Sequence, residues 1–205
     1  LKQGDIASVV TWNSGNHVRL SGHVISGPND PTLLRVVDAL VATGGTDLDG
    51  GLRAGYELAQ AHYAADRLNR VVLISDGGAN VGVTEGSIIG TQAEDADREG
   101  IYLVGIGTGP IEWYSDQLMD AVTDRGRGAY VYLDSTEEAT RVLAQRFDEV
   151  FEIAARGVQI EVTLPWYFQM LRFHGEEWSD DPREVEPQHL APGATTAILQ
   201  TLRAC

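Results

Sequence analysis

Arg70-Val71-Val72-Leu73-Ile74-Ser75-Asp76-Gly77-Gly78 is the stretch on which the fold turns. Its unbroken run of Val, Leu and Ile predicts a strand buried on both faces, as in a parallel sheet covered by helices. The run ends in an acid and two glycines. That puts Asp76 at the carboxyl end of a central strand, where open α/β sheets keep their ligand sites. An ionised carboxylate there is costly unless a cation or hydrogen-bond donors face it. Upstream, Thr43-Gly44-Gly45-Thr46-Asp47 precedes a predicted helix, and Thr46 offers a second hard oxygen. Hydroxyl and carboxylate oxygens suit Mg²⁺, Mn²⁺ or Ca²⁺ better than a soft metal.

Outward from this stretch, strands and helices alternate. Ile6 to Trp12 is apolar and β-rich after a Gly4-Asp5 turn, with His17 to Leu20 as its hairpin mate. Pro31 suits the first turn of a helix carrying Leu33, Leu34, Val37 and Leu40. A second helix after Thr46 presents Leu48, Leu52, Tyr56 and Ala59 on one stripe. A third is expected from Ser87 to Glu99, followed by a strand from Ile101 to Ile106. A helix carrying Trp113, Leu118, Met119 and Val122 leads to a strand from Ala129 to Leu133. The last helix spans Ser135 to about Ala155, with Glu138 completing a capping box. This order predicts an α/β fold: a doubly wound, mostly parallel, Rossmann-like sheet with helices on both faces.

The pattern changes after Arg156. Val158-Gln159-Ile160-Glu161-Val162-Thr163-Leu164 alternates apolar and polar, the mark of a half-exposed antiparallel strand. Tyr167 to Phe173 and Thr196 to Leu202 repeat it around an acidic loop holding Glu176, Glu177, Asp180, Asp181, Glu184 and Glu186. Residues 1–155 are therefore expected to form the α/β domain and 156–205 a β-rich extension or the start of a second domain.

Composition narrows the partners. The chain of 205 residues carries 15 basic and 30 acidic side chains, a net charge of −15. Such a surface repels phosphate backbones and anionic lipid, which argues against nucleic acid and membrane surfaces. Cys205 is the only cysteine, so no intrachain disulfide forms and the redox compartment stays open. No run approaches the ~20 apolar residues of a membrane helix, and no signal peptide stands at the start of the sequence.

The Gly4-Asp5 turn and strand, the Gly44-Gly45-Thr46 loop and helix, the strand Leu73-Ile74-Ser75-Asp76-Gly77 and the strand Val104-Gly105-Ile106-Gly107 together resemble a von Willebrand factor type A domain. The resemblance is to the bacterial cell-envelope branch, and it covers residues 1 to about 155 well. It implies a metal-ion-dependent adhesion site, in which the family uses an Asp-x-Ser-x-Ser motif, a Thr from a second loop and an Asp from a third. Thr46 matches the second element and Asp76 the third. No Asp-x-Ser-x-Ser occurs in this sequence. On the resemblance, Leu1 falls just after the strand and helix that would carry it. The chain is then expected to be a fragment or a mis-called start, the alternative being a natural degenerate member. Either way the cation, Mg²⁺ or else Mn²⁺ or Ca²⁺, is expected to bind weakly or not at all to this chain alone. Cell-envelope or extracellular placement is what the resemblance implies, with a cytoplasmic one as the alternative.

Plainer roles compete at each position. Thr46 can be the N-cap of its helix, with Asp49 assisting. Asp47 and Asp49 suit a helix N-terminus through the macrodipole, or add negative charge behind a cation. Ser75 and Gly77 flank Asp76 as cap or supporting positions, and Asp76 itself can be a turn former. Gly105-x-Gly107-x-Gly109 has the wrong third spacing for dinucleotide binding, and Pro110 follows it. Ser75 lacks a nucleophile elbow, and the five histidines show no metal spacing. The expectation is a binding module and not an enzyme: a divalent cation bridges to a carboxylate on a protein partner. The alternatives are an accessory subunit of an ATPase or chelatase complex, or a scaffold that binds no metal. A homodimer through the exposed truncated edge is a further expectation.

Overall fold

The computed structural model describes residues 1–78, 100–110, 112, 114–126, 129–152, 154–175, 178–185, 187–193 and 195–204. The predicted helix from Ser87 to Glu99, Trp113 and Cys205 lie outside them. So do Glu176, Glu177 and Glu186 of the acidic loop. The chain divides into two compact units, Leu1–Gln145 and Arg146–Cys205.

The first unit opens with β1 (Ile6–Trp12) and β2 (Asn16–Val24), an antiparallel hairpin in which Val10 faces Val18 and Trp12 faces Asn16. Helix α1 (Pro31–Asp38) begins where Asp30 accepts the Thr32 and Leu33 amides, and Pro31 takes the first-turn position. Helix α2 (Leu48–Ala61) buries Leu48, Leu52 and Tyr56, the period-3.6 stripe of the sequence. Strands β3 (Asn69–Ser75), β4 (Ile101–Thr108) and β5 (Tyr130–Leu133) form a parallel sheet in that order. Helix α3 (Asp116–Arg125) stands between β4 and β5 in the chain, and Met119 and Val122 face the core. Leu48, Leu52, Leu73, Leu103, Met119 and Val122 anchor one apolar cluster, with Trp12 packed against it. This is an α/β, Rossmann-like arrangement followed by C-terminal strands.

The strand formed by Arg70 to Ser75 is not buried on both faces as its apolar run predicts. Among the described residues β3 is the edge of its sheet, and β4 is the middle strand, buried from Ile101 to Gly107. Val71, Leu73 and Ser75 turn inward, whereas Val72 is 41% and Ile74 55% exposed. Continuous apolar sequence shows that a strand can be buried on both faces. Which faces are covered depends on tertiary neighbours that local sequence does not encode.

Two glycines in β4 have a packing reason. A Cβ at Gly105 would collide with the Thr123 methyl of α3, and one at Gly107 with the Tyr114 hydroxyl. The spacing that superficially suits a dinucleotide instead lets α3 and Tyr114 lie close on the strand. The last predicted helix is broken into pieces: α4 (Thr136–Thr140), a π-helical turn at Arg141–Gln145 and α5 (Phe147–Phe151). Ser135 caps α4 through the Glu138 amide at 3.2 Å. The Glu138 carboxylate does not complete the box; it pairs with Arg141, which raises the guanidinium pKa.

Among its described residues the second unit holds α5 and two antiparallel ribbons. One joins β6 (Ala155–Val158) to β8 (Gln188–Leu190), and the other joins β7 (Phe168–Phe173) to β9 (Gln200–Ala204). The expected strand over 158–164 stops at Val158, because alternation supplies a face but not a partner edge. Within the acidic loop, Arg183 clamps the Asp181 carboxylate at 2.6 Å and lowers its pKa. Ser179 donates to Glu184 at 2.6 Å, so the loop is closed on itself by local contacts. Among the described residues no helix is long and apolar enough to cross a membrane.

Candidate functional site

Parallel pairing sets Ser75 beside Gly107 and Gly107 beside Tyr132, so all three strands end on one rim. Asp76 is the first residue beyond β3 on that rim, and its side chain is exposed rather than buried at the strand end. One carboxylate oxygen accepts the Gly78 amide at 3.0 Å. Behind it the buried Ser75 hydroxyl accepts the Gly77 amide at 3.1 Å. Gly77 has φ +74°, a left-handed conformation that glycine adopts without strain. A side chain there would also meet the Ser115 carbonyl oxygen at 2.7 Å. The Ser115 amide in turn donates to the Asp76 carbonyl at 3.4 Å. The turn therefore presents a carboxylate outward while its backbone is held from behind.

Helix α2 leads through Ala64, hydrogen-bonded to Asn69 at the start of β3, so the helix runs back against that strand. Its N-terminus thus lies toward the end of the sheet where β3 finishes. The Thr46 loop there is pinned to the hairpin turn. The Asp47 amide donates to the Asn13 carbonyl at 2.7 Å and the Gly45 amide to Ser14 Oγ at 3.3 Å. The N-cap of α2 is Asp47, which accepts the Gly50 amide at 3.1 Å; the cap role weighed for Thr46 falls to its neighbour. Asp49 is buried and turned along its own helix, paired with Arg53 at 2.9 Å.

Carboxylate and hydroxyl oxygens on Asp76 and Thr46 fit a hard divalent cation in kind. They do not complete a shell: among the described residues no group of three or more His, Cys, Asp or Glu converges. Mg²⁺ in particular demands near-octahedral oxygen support. Sequence reasoning missed the neighbours of the Asp76 turn, namely Ser115, Gly109 and the tyrosines behind them. The only sequence signal for them was the glycine spacing in β4, which marks a close approach.

The fold is similar to that of a von Willebrand factor type A structure from Catenulispora acidiphila, with TM-score 0.60 at 14% identity over 93% of this chain and 46% of that one. The chain has the von Willebrand factor type A fold. BatB from Bacteroides thetaiotaomicron shares it with TM-score 0.54, 13% identity and coverage of 72% and 80%. So does proximal thread matrix protein 1 from the mussel byssus, solved with a zinc-occupied MIDAS motif: TM-score 0.55, 19% identity, coverage 71% and 36%. No family model matches the sequence. Among curated proteins, the uncharacterized protein YfbK of Escherichia coli K12 is 29% identical over 168 residues, 81% of this chain and 29% of YfbK. The uncharacterized protein sll0103 of Synechocystis is 23% identical over 165 residues, 80% of this chain and 37% of its own length. The chain with this fold thus spans about a third of the curated relatives it matches.

Proposed function

We propose that this type A unit is a protein-binding module of the adhesion type and not an enzyme. Asp76 and Thr46 are its two oxygen ligands for a divalent cation, Mg²⁺ or Mn²⁺. When bound, the cation would supply a vertex for a carboxylate on the partner protein. The remaining coordination positions would be filled by water and by that carboxylate. The observation that carries this reading is the exposed Asp76 carboxylate at the rim of a type A sheet, aimed to solvent with its backbone held behind. The protein's acidity favours capture of a cation over direct capture of an acidic partner, whose carboxylates it would repel without an intervening charge. One solved neighbour holding zinc at its MIDAS motif supports the metal chemistry of such rims.

The test is Mn²⁺ titration followed by paramagnetic broadening of backbone amide signals. The expected result is selective broadening at Gly77, Gly78, Gly45 and Asp47 that disappears in Asp76→Ala. Broadening confined to the acidic loop around Asp180 and Asp181, with none on the rim, would sink the proposal.

A further inference from the structure

Three tyrosine hydroxyls and one carboxylate converge behind the Asp76 turn. Tyr130 and Tyr132 alternate along β5 and share a face, as residues two apart on a strand do. The Tyr132 hydroxyl donates to the Gly109 carbonyl at 2.5 Å, and the Tyr130 hydroxyl donates to Asp116 Oδ1 at 2.7 Å. The Tyr130 oxygen also meets the Tyr114 hydroxyl. Because the Tyr130 proton goes to Asp116, Tyr114 is the donor in that contact. The Tyr114 and Tyr132 rings lie 4.7 Å apart, tilted by 51°. Strand β5 thereby ties down Gly109 through Tyr132, and Tyr114 and Asp116 through Tyr130.

Both tied points press on the candidate site. A Cβ at Gly109 would stand 3.4 Å from the Asp76 Cβ, and Ser115, flanked by Tyr114 and Asp116, is the residue that contacts Asp76 and Gly77 through its backbone. If these side chains only filled space, phenylalanine would serve in the same volume without polar atoms to satisfy. Instead the Tyr130 and Tyr132 hydroxyls are committed to Asp116 and Gly109 on the side that touches Asp76, and the Tyr114 hydroxyl is committed back to Tyr130. Burial, reinforced by this network, raises the pKa of Tyr130, and burial raises that of Tyr114.

We propose that Tyr114, Tyr130, Tyr132 and Asp116 form a latch that positions the Asp76 carboxylate, acting through Ser115 and Gly109. The four are positioning residues, and the cation arm of the claim rests on the function proposed above. Exchange of the Gly77 and Gly78 amides in the metal-free chain reads the latch directly. Mn²⁺ affinity reads its consequence.

Tyr130→Phe removes the central hydroxyl while keeping the ring. Exchange at Gly77 and Gly78 is expected to accelerate about fivefold to tenfold, the scale of one net hydrogen bond, with core amides such as Leu103 unchanged. Asp116→Asn keeps an acceptor oxygen and is expected to retain wild-type exchange, whereas Asp116→Ala is not. Tyr132→Phe, which frees only the Gly109 end, serves if Tyr130→Phe fails to fold. Unchanged exchange at Gly77 and Gly78 in the folded variants overturns the latch. Faster exchange with unchanged Mn²⁺ affinity overturns its positioning role. Faster exchange with no Mn²⁺ binding in any form, wild type included, upholds the latch and removes the cation reading instead.

Discussion

Replacing Gly105 with Ala tests whether the β4 glycines exist to admit α3. Gly105 has ordinary extended backbone, so alanine is not excluded by conformation. The obstacle is steric: the new methyl collides with Thr123 Cγ2, while Tyr130 Cδ2 at 3.5 Å and Met119 Cε at 3.6 Å are in ordinary contact. Overpacking of this kind costs about 1–3 kcal/mol. Loss of unfolded-chain freedom returns about 0.4–1 kcal/mol. Gly105→Ala should therefore destabilise by about 1–2 kcal/mol.

Thr123→Ser removes the colliding methyl and keeps the hydroxyl that donates to the Met119 carbonyl at 2.8 Å. Alone it leaves a methyl-sized gap, at about 1 kcal/mol. Combined with Gly105→Ala, the inserted methyl fills that gap, and the double variant should return close to wild-type stability. Urea unfolding of all four proteins gives the coupling from the midpoints, provided the slopes agree. Additive losses, leaving the double variant about 2–3 kcal/mol less stable than wild type, would refute the packing account of the glycines.

Other consequences follow from charges and packing. Asp30 accepts hydrogen bonds from the Leu33 and Ser26 amides and from the Ser26 hydroxyl, and His23 lies 3.0 Å away; these contacts hold its pKa below the usual carboxylate value of 3.8. A lowered folded pKa stabilises above the unfolded value and loses that contribution as pH falls through the folded one. Asp30→Ala should thus lower Tm at pH 7, and the gap to wild type should narrow as pH drops below about 4. The raised pKa values of Tyr114 and Tyr130 work in the opposite direction, favouring the folded state below pH 10 and losing that contribution above it. Absorbance at 295 nm should show these two phenols ionising after the exposed ones, whereas a single step near the ordinary pKa would contradict their burial. Leu52, 2% exposed in the core, should cost about 2–5 kcal/mol when cut to Ala, read as a urea-midpoint shift.

Much of the scaffold was legible because its signals are local. The apolar, β-rich run of β1, the period of Leu48, Leu52 and Tyr56, and Pro31 at a helix start all report on neighbours within a turn or two of chain. The role of β3 was not legible. Whether Val72 and Ile74 are covered depends on elements distant in sequence. Val158 to Leu164 shows the same limit from the other side, since alternation without a partner edge ended the strand at Val158. At the rim, Asp76 stood out by its place between an apolar run and two glycines, and its exposure did not. The choice of Asp47 over Thr46 as cap separates two adjacent residues of similar capping power. The tyrosine network joins residues 14 to 23 positions apart through hydroxyls. Nothing in the sequence marks it except the glycines that make room.

The Asp76 rim is proposed to be a cation-dependent binding surface. A thermal-shift titration with Mn²⁺ and Mg²⁺, on this chain and on Asp76→Ala, tests it most directly. Ligand at ~100 times its dissociation constant adds about 2.7 kcal/mol, a readily measured rise in Tm. The expected result is a saturable upward shift, weak because two side-chain ligands leave the shell incomplete, that vanishes in Asp76→Ala. A shift of equal size in both proteins, or none in either up to high metal concentration, would contradict it.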